Sequence, residues 1–289
     1  MFPWRQERRS PGGSKALHSP NQPWWSGFDS DAVSRVLTLD YRSLLHWLNQ
    51  QAINRDLRTG RGQLLQFGPQ SVLPEDLAYE QWIAQTGTVP TRDNLHDRIN
   101  ALVWLTYPLT KAALNREQAS AIEMQTDTSR RGPVRDAATL WDENLAVMVD
   151  RSADRGLETL LVRADWTALF QAQRSSWTHS WQIYCFGHAL LEKLMSPYKA
   201  ITAHTIVLHA SNAMARCDDS HMHDGLTEMG HLDQQLSQHV SANMSPALFR
   251  PLPVMGIPGW DTAQDQDDFY QDTSVFRRPR SNQLSTDDV

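Results

Sequence analysis

The run at 89–108 constrains the fold of this 289-residue chain most, because a turn, a helix start and a row of polar groups share one short stretch. Pro90 fixes its own φ and pushes Val89 out of the α region, so the chain arrives extended. Thr91, Asp93 or Asn94 can then cap a helix that begins near Asn94. Leu95, Ile99, Leu102, Val103 and Thr106 recur at steps of three and four, the stripe of a helix that faces a core. His96, Asn100 and Trp104 form a second row beside it. Pro108 cannot donate to the carbonyl of Trp104, which predicts a break there and a second short helix through Lys111 to Asn115. An imidazole and a carboxamide at the margin of buried surface need partners, since an unpaired buried polar group costs about 1–3 kcal/mol. They are either structural hydrogen-bonders or part of a site.

Hydrophobic residues make up 40% of the chain, enough to bury a sizeable core, and no interior stretch reads as a linker, so residues 23–280 are expected to form one globular domain. Residues 1–22 are basic, carry Pro11-Gly12-Gly13 and lack periodic apolar positions, which reads as a disordered arm. Residues 281–289 read as a disordered tail. A formal charge of −6 argues against a general nucleic-acid partner. Cys185 and Cys217 make no disulfide framework, and neither a secretory signal nor an apolar run of membrane-spanning length is evident, which points to the cytoplasm and away from the membrane.

The remaining segments fill in a helix-rich α+β chain with a small antiparallel sheet near 137–149 and 200–208. Helices are expected from 31 to about 54 with an interruption near Leu39-Asp40, at 79–85 ending on Gly87, at 117–124, through the apolar positions of 157–177, at 186–194 and at 232–240. Leu64 to Phe67 reads as a short strand, and 251–260 as an extended strap across the body. Around the corner Asp142-Glu143-Asn144 a strand–turn–strand is preferred, with a helix as the alternative. The acids Asp136, Asp142 and Glu143 beside Arg135 could bind a divalent cation or hold a general base, but on a hairpin tip they make a solvated turn. On a helix His188 and Glu192 face together one turn apart, which suits two metal ligands or an acid steering an imidazole tautomer. His204 lies inside a run of strand character, and 211–230 reads as a solvated His- and Asp-bearing loop without tetrahedral ligand spacing.

The stretches Val-Pro-Thr-Arg-Asp-Asn-Leu-His-Asp at 89–97, Asn-Ala-Leu-Val-Trp-Leu at 100–105, Arg-Gly-Pro-Val-Arg-Asp-Ala at 131–137, Asp-Glu-Asn at 142–144, Gly-His-Ala-Leu-Leu-Glu-Lys at 187–193 and Pro-Leu-Pro-Val-Met-Gly-Ile-Pro-Gly-Trp at 251–260 together resemble the bacterial domain-of-unknown-function 3025 family. The resemblance implies a bacterial intracellular protein and brings no activity or catalytic residues with it.

These residues support two functional readings. In the first the chain is a hydrolase-like acid–base or metal-assisted enzyme, with His96, Asp97, His188, Glu192 and His204 around one cleft and Asn100, Arg135 and Asp136 on the substrate side. A divalent metal of open identity is the cofactor such a site would take, and a small molecule or a protein its partner. The phosphate-binding Gly-rich loop, the Gly-x-Ser-x-Gly elbow and the His-Glu-x-x-His helix are all missing. A His-Asn-His nuclease is disfavoured by the charge and by the lack of a His-rich strand before the helix. In the second reading the chain is a non-catalytic binding or scaffold protein whose polar clusters are internal hydrogen-bond networks.

Overall fold

The computed structural model describes residues 19–125, 132–152, 156–209, 227–266 and 268–277. The expected tail, most of the expected arm and most of the His-bearing loop lie outside the described residues. Helices α1 (Ser30–Thr38) and α2 (Tyr41–Asn54) are each started by an aspartate, Asp29 accepting from the Ala32 N–H and Asp40 from that of Ser43. Leu39-Asp40 is the interruption between them. Strand β1 (Gln66–Pro69) pairs in parallel with β2 (Thr88–Thr91), and α3 (Tyr79–Thr86) makes the connection. Gly87 ends that helix at φ 75°, where a Cβ would also strike the Leu64 carbonyl oxygen at 2.0 Å.

Helix α4 (Leu95–Thr106) begins at Asn94, whose side chain accepts from the Asp97 N–H. Pro108 breaks it as its missing N–H requires, but the chain then continues as one helix, α5 (Pro108–Glu123), in place of the two short ones expected. Arg116 and Glu117 are good helix formers and nothing between Asn115 and Glu117 interrupts the chain. The preferred strand–turn–strand is also overturned: α6 (Pro133–Asn144) occupies its first half, with Pro133 in the first turn and Ala137, Ala138 and Trp141 buried at helical spacing. Asp142-Glu143-Asn144 is its last turn, and the chain passes directly into β3 (Leu145–Asp150), all of whose residues are buried.

The long helical segment expected at 157–177 is split. Helix α7 (Gly156–Arg163) ends at Ala164, which has φ 44°, and it is succeeded by a π-turn at Ala168–Ala172 and the single turn α8 (Ser176–His179). Strand β4 (Trp181–Cys185), helix α9 (His188–Leu194), strand β5 (Thr202–His209), helix α10 (Glu228–His239) and strand β6 (Arg250–Pro253) complete the chain. The four-stranded sheet has the order β4-β3-β5-β6, with β4 and β6 antiparallel to their neighbours and β3 parallel to β5. It is therefore mixed, because the chain runs through β4 and α9 before β5 returns beside β3 in the same direction. The expected strap adds its first residues to the sheet as β6 and buries Leu252, Val254, Met255 and Ile257.

The buried apolar side chains form one continuous cluster running from Trp24 and Trp25 through Trp104 and Trp141 to Phe170 and Phe276. Among the described residues no helix is long and apolar enough to cross a membrane.

Candidate metal centre

Helix α9 packs against α4 and against the C-terminal end of α6. Gly187 makes this approach close: a Cβ there would lie 2.5 Å from the Asn144 backbone nitrogen and 2.6 Å from the Glu143 carbonyl oxygen. Its effect is to set His188, the first residue of α9, against Asp142 and Glu143, while His96 reaches the same point from the first turn of α4.

The geometry centres on the two imidazoles. His96 Nδ1 lies 2.9 Å from Glu192 Oε2, and His96 Nε2 lies 3.0 Å from His188 Nε2. Glu143 Oε2 is 3.6 Å from His188 Nε2, and Asp142 Oδ2 is 3.9 Å from His188 Nδ1. His96, Glu143 and His188 each offer one ligand atom, all within 4.8 Å of one another.

These contacts determine where the protons sit. An ionised carboxylate only accepts, so Glu192 fixes the proton of His96 on Nδ1 and leaves Nε2 with a lone pair. His188 Nδ1 is buried without a hydrogen-bond partner, 3.9 Å from the Asp142 carboxylate, so a His188 that donated from Nε2 would turn a bare lone pair towards that negative charge. The alternative tautomer puts the His188 proton on Nδ1, towards Asp142, and two Nε2 lone pairs then converge on one point. That is the arrangement of paired metal-ligating histidines, with Glu192 hydrogen-bonded behind His96 and the Asp142 carboxylate 3.9 Å behind His188. With metal–nitrogen bonds of about 2.0–2.1 Å, two ligands of one ion at 90–110° stand about 3 Å apart.

Burial, only partly opposed by Asp142, holds His188 down to about 4, so it is neutral at neutral pH, the form a ligand must have. Burial raises the Asp142 carboxyl, but Lys111 and His188 outweigh it and hold the group below the usual carboxylate range. Glu143 is raised by burial and by Asp142. The His188 side chain is 4% exposed, whereas those of His96 and Glu143 are 31% and 41% exposed, so the cluster has a buried wall and an open mouth.

Behind it, Lys111 Nζ donates to Asp142 Oδ1 at 2.5 Å and to Asn100 Oδ1 at 2.8 Å, and lies 5.2 Å from the centre of the Trp104 ring. Asn100 donates in turn to the Tyr79 hydroxyl at 3.2 Å. A cavity of about 280 Å³ opens alongside, lined by Tyr79, Glu80, Arg135, Thr139, Asp142 and Glu143 among others. Glu80 accepts from Asn115 Nδ2 at 2.6 Å, and burial and Asp142 raise its carboxyl.

Of the residues expected around one cleft, His96, His188 and Glu192 come together. Asp97 does not join them: both of its oxygens are taken by Arg92, which braces the turn between β2 and α4. His204 is held by Asn144 Nδ2 at 3.0 Å and packs edge-on to Phe249, outside the cluster. Asn100 is occupied by Lys111 and Tyr79. Arg135 lines the cavity, whereas Asp136 is exposed on the first turn of α6 and does not. The sequence reading left Glu143 on a solvated turn and passed over Lys111 and Glu80. Reading α6 as a helix would have aligned Arg135, Thr139 and Asp142-Glu143 on one face.

Residues 65–280 match the model of a family described as "Protein of unknown function (DUF3025)". Neither a curated protein nor a solved structure matches the chain.

Proposed function

The chain belongs to the DUF3025 family, and we propose that it is a metal-dependent, hydrolase-like enzyme whose centre is formed by His96, His188 and Glu143. The observation that carries this reading is the facing of two Nε2 atoms at 3.0 Å with a carboxylate behind each ring. Two imidazoles and one carboxylate are a donor set that leaves a further position open for water in catalytic zinc sites. A divalent ion bound there supplies a Lewis acid and a water of lowered pKa, the requirements of metal-assisted hydrolysis. Glu192 fixes the tautomer of His96, the Asp142 carboxylate lies 3.9 Å from His188 Nδ1 and favours a proton there by its charge, and Lys111 holds Asp142 in place. Bacterial and cytoplasmic residence belong to the same proposal and rest on the family resemblance.

The second reading, a binding or scaffold protein, is favoured by the closed network in which Lys111 ties Asn100 to Asp142. Metal content separates the two. After dialysis against micromolar free zinc the chain is expected to hold about one ion, to melt higher than with a chelator, and to lose both the bound ion and the zinc-dependent rise in melting in His96→Ala and His188→Ala. If the unsubstituted chain takes up no metal while both variants melt lower, the clusters are structural and the scaffold reading stands.

A further inference from the structure

One wall of the cavity beside the centre is a face of α6, on which Arg135, Thr139 and Asp142-Glu143 succeed one another at steps of four and three or four residues; α5 and the start of α3 supply the rest. Eight residues at 1.5 Å each separate Arg135 from Glu143 by about 12 Å along the helix axis. The lining thus has a cationic end at Arg135 and an acidic end at Glu143, the one candidate metal ligand that lines it.

Its charges are not equally satisfied. Asp142 is paired with Lys111 at 2.5 Å, and Glu80 is held by Asn115 at 2.6 Å. Arg135 has no ion pair among the described residues. One of its terminal nitrogens donates to the neutral Gln125 Oε1 at 2.8 Å, and its Nε is buried with no hydrogen-bond partner. A guanidinium cannot shed its proton, so a partly desolvated one without an anion is costly unless a ligand completes it. Its planar fork matches carboxylate and phosphate oxygens two at a time.

We propose that this cavity is the substrate pocket of the centre and takes a small molecule with an anionic end group, held by Arg135, whose reacting group extends to Glu143, the one candidate metal ligand on the cavity wall. The inference rests on the metal-centre reading for the far end of the pocket. At about 280 Å³ the space suits a metabolite and is below the usual range for drug-sized ligands. A carboxylate and a phosphate monoester would both present the required end group.

Calorimetric titration of the zinc-loaded full chain with glutarate and with glycerol 3-phosphate, in a buffer free of other polyvalent anions, distinguishes these sources. One of the two is expected to bind, and Arg135→Gln to weaken it by roughly tenfold or more while bound zinc stays the same. Binding unchanged in Arg135→Gln, or neither compound bound by a chain that holds its zinc, overturns the pocket and leaves the metal centre standing. Arg135-dependent binding by a chain that takes up no zinc keeps the anion pocket and overturns the metal centre.

Discussion

Lys111 shows how much a single side chain can decide here. With 5% of its side chain exposed, it holds a carboxylate that is itself largely buried, and the two charges are tolerable only together. Lys111→Met strands Asp142 and is expected to cost about 3–5 kcal/mol in urea unfolding. Adding Asp142→Leu should return much of that loss, a coupling read directly from the two single variants and the double. Glu80 gives the opposite sign. Its carboxyl is raised by burial and by Asp142, so the folded chain keeps this proton at a pH where the unfolded chain has released it. The associated stability is present below the ordinary carboxylate range and is lost as pH rises through the raised value. Glu80→Gln, which keeps an acceptor for Asn115, should therefore melt higher than the natural chain near neutral pH, with the difference closing as the pH is lowered through that range. His96, His188 and Glu192 could be found in the sequence because each is an ionisable residue beside or among the apolar positions of a helical run. Lys111 could not, since a lysine ordinarily reaches solvent and only the packing of α5 against α4 and α6 buries this one. Asp97 misled because adjacency in sequence puts neighbouring side chains on different faces of a helix, and Arg92 waits just before the turn.

At the scale of elements, the junction between α6 and α9 builds the centre. A methyl group on Gly187 would strike backbone atoms of Glu143 and Asn144, which cannot swing aside as a side chain can. Gly187→Ala is expected to destabilise the chain by about 1–3 kcal/mol in chemical unfolding and to weaken zinc binding by moving Glu143 away from His188. Gly132→Ala, whose Cβ would meet nothing within 4 Å, is the control and should change zinc binding little. Strong helical periodicity made α1 to α4 and α9 legible, and Pro108 marked its break correctly. Helix α6 was not, because Leu140-Trp141 and the run from Leu145 to Val149 flank an Asp-Glu-Asn corner just as two hairpin strands would. Strand β4 was hidden for a different reason: five residues between a helical turn and α9 carry little periodic signal, and the π-turn before it does not keep the 3.6-residue period.

Across the whole molecule, the proposed centre draws on helices whose candidate ligands are residues 96, 143 and 188, brought together only when the chain is folded. An ion bound there favours the native state by mass action, by about 2.7 kcal/mol when free metal stands at a hundred times its dissociation constant. The melting midpoint should accordingly climb with zinc concentration and fall back when a chelator is added. Cys185, buried in β4 and with its thiol pushed up by burial, offers no competing soft ligand. X-ray absorption at the zinc edge of the loaded chain looks at the bound atoms themselves. A centre built on His96, His188 and Glu143 predicts a shell of nitrogen and oxygen at about 2.0–2.1 Å with the outer scattering of two imidazoles. A shell containing sulfur, or one with fewer than two imidazoles, would contradict it.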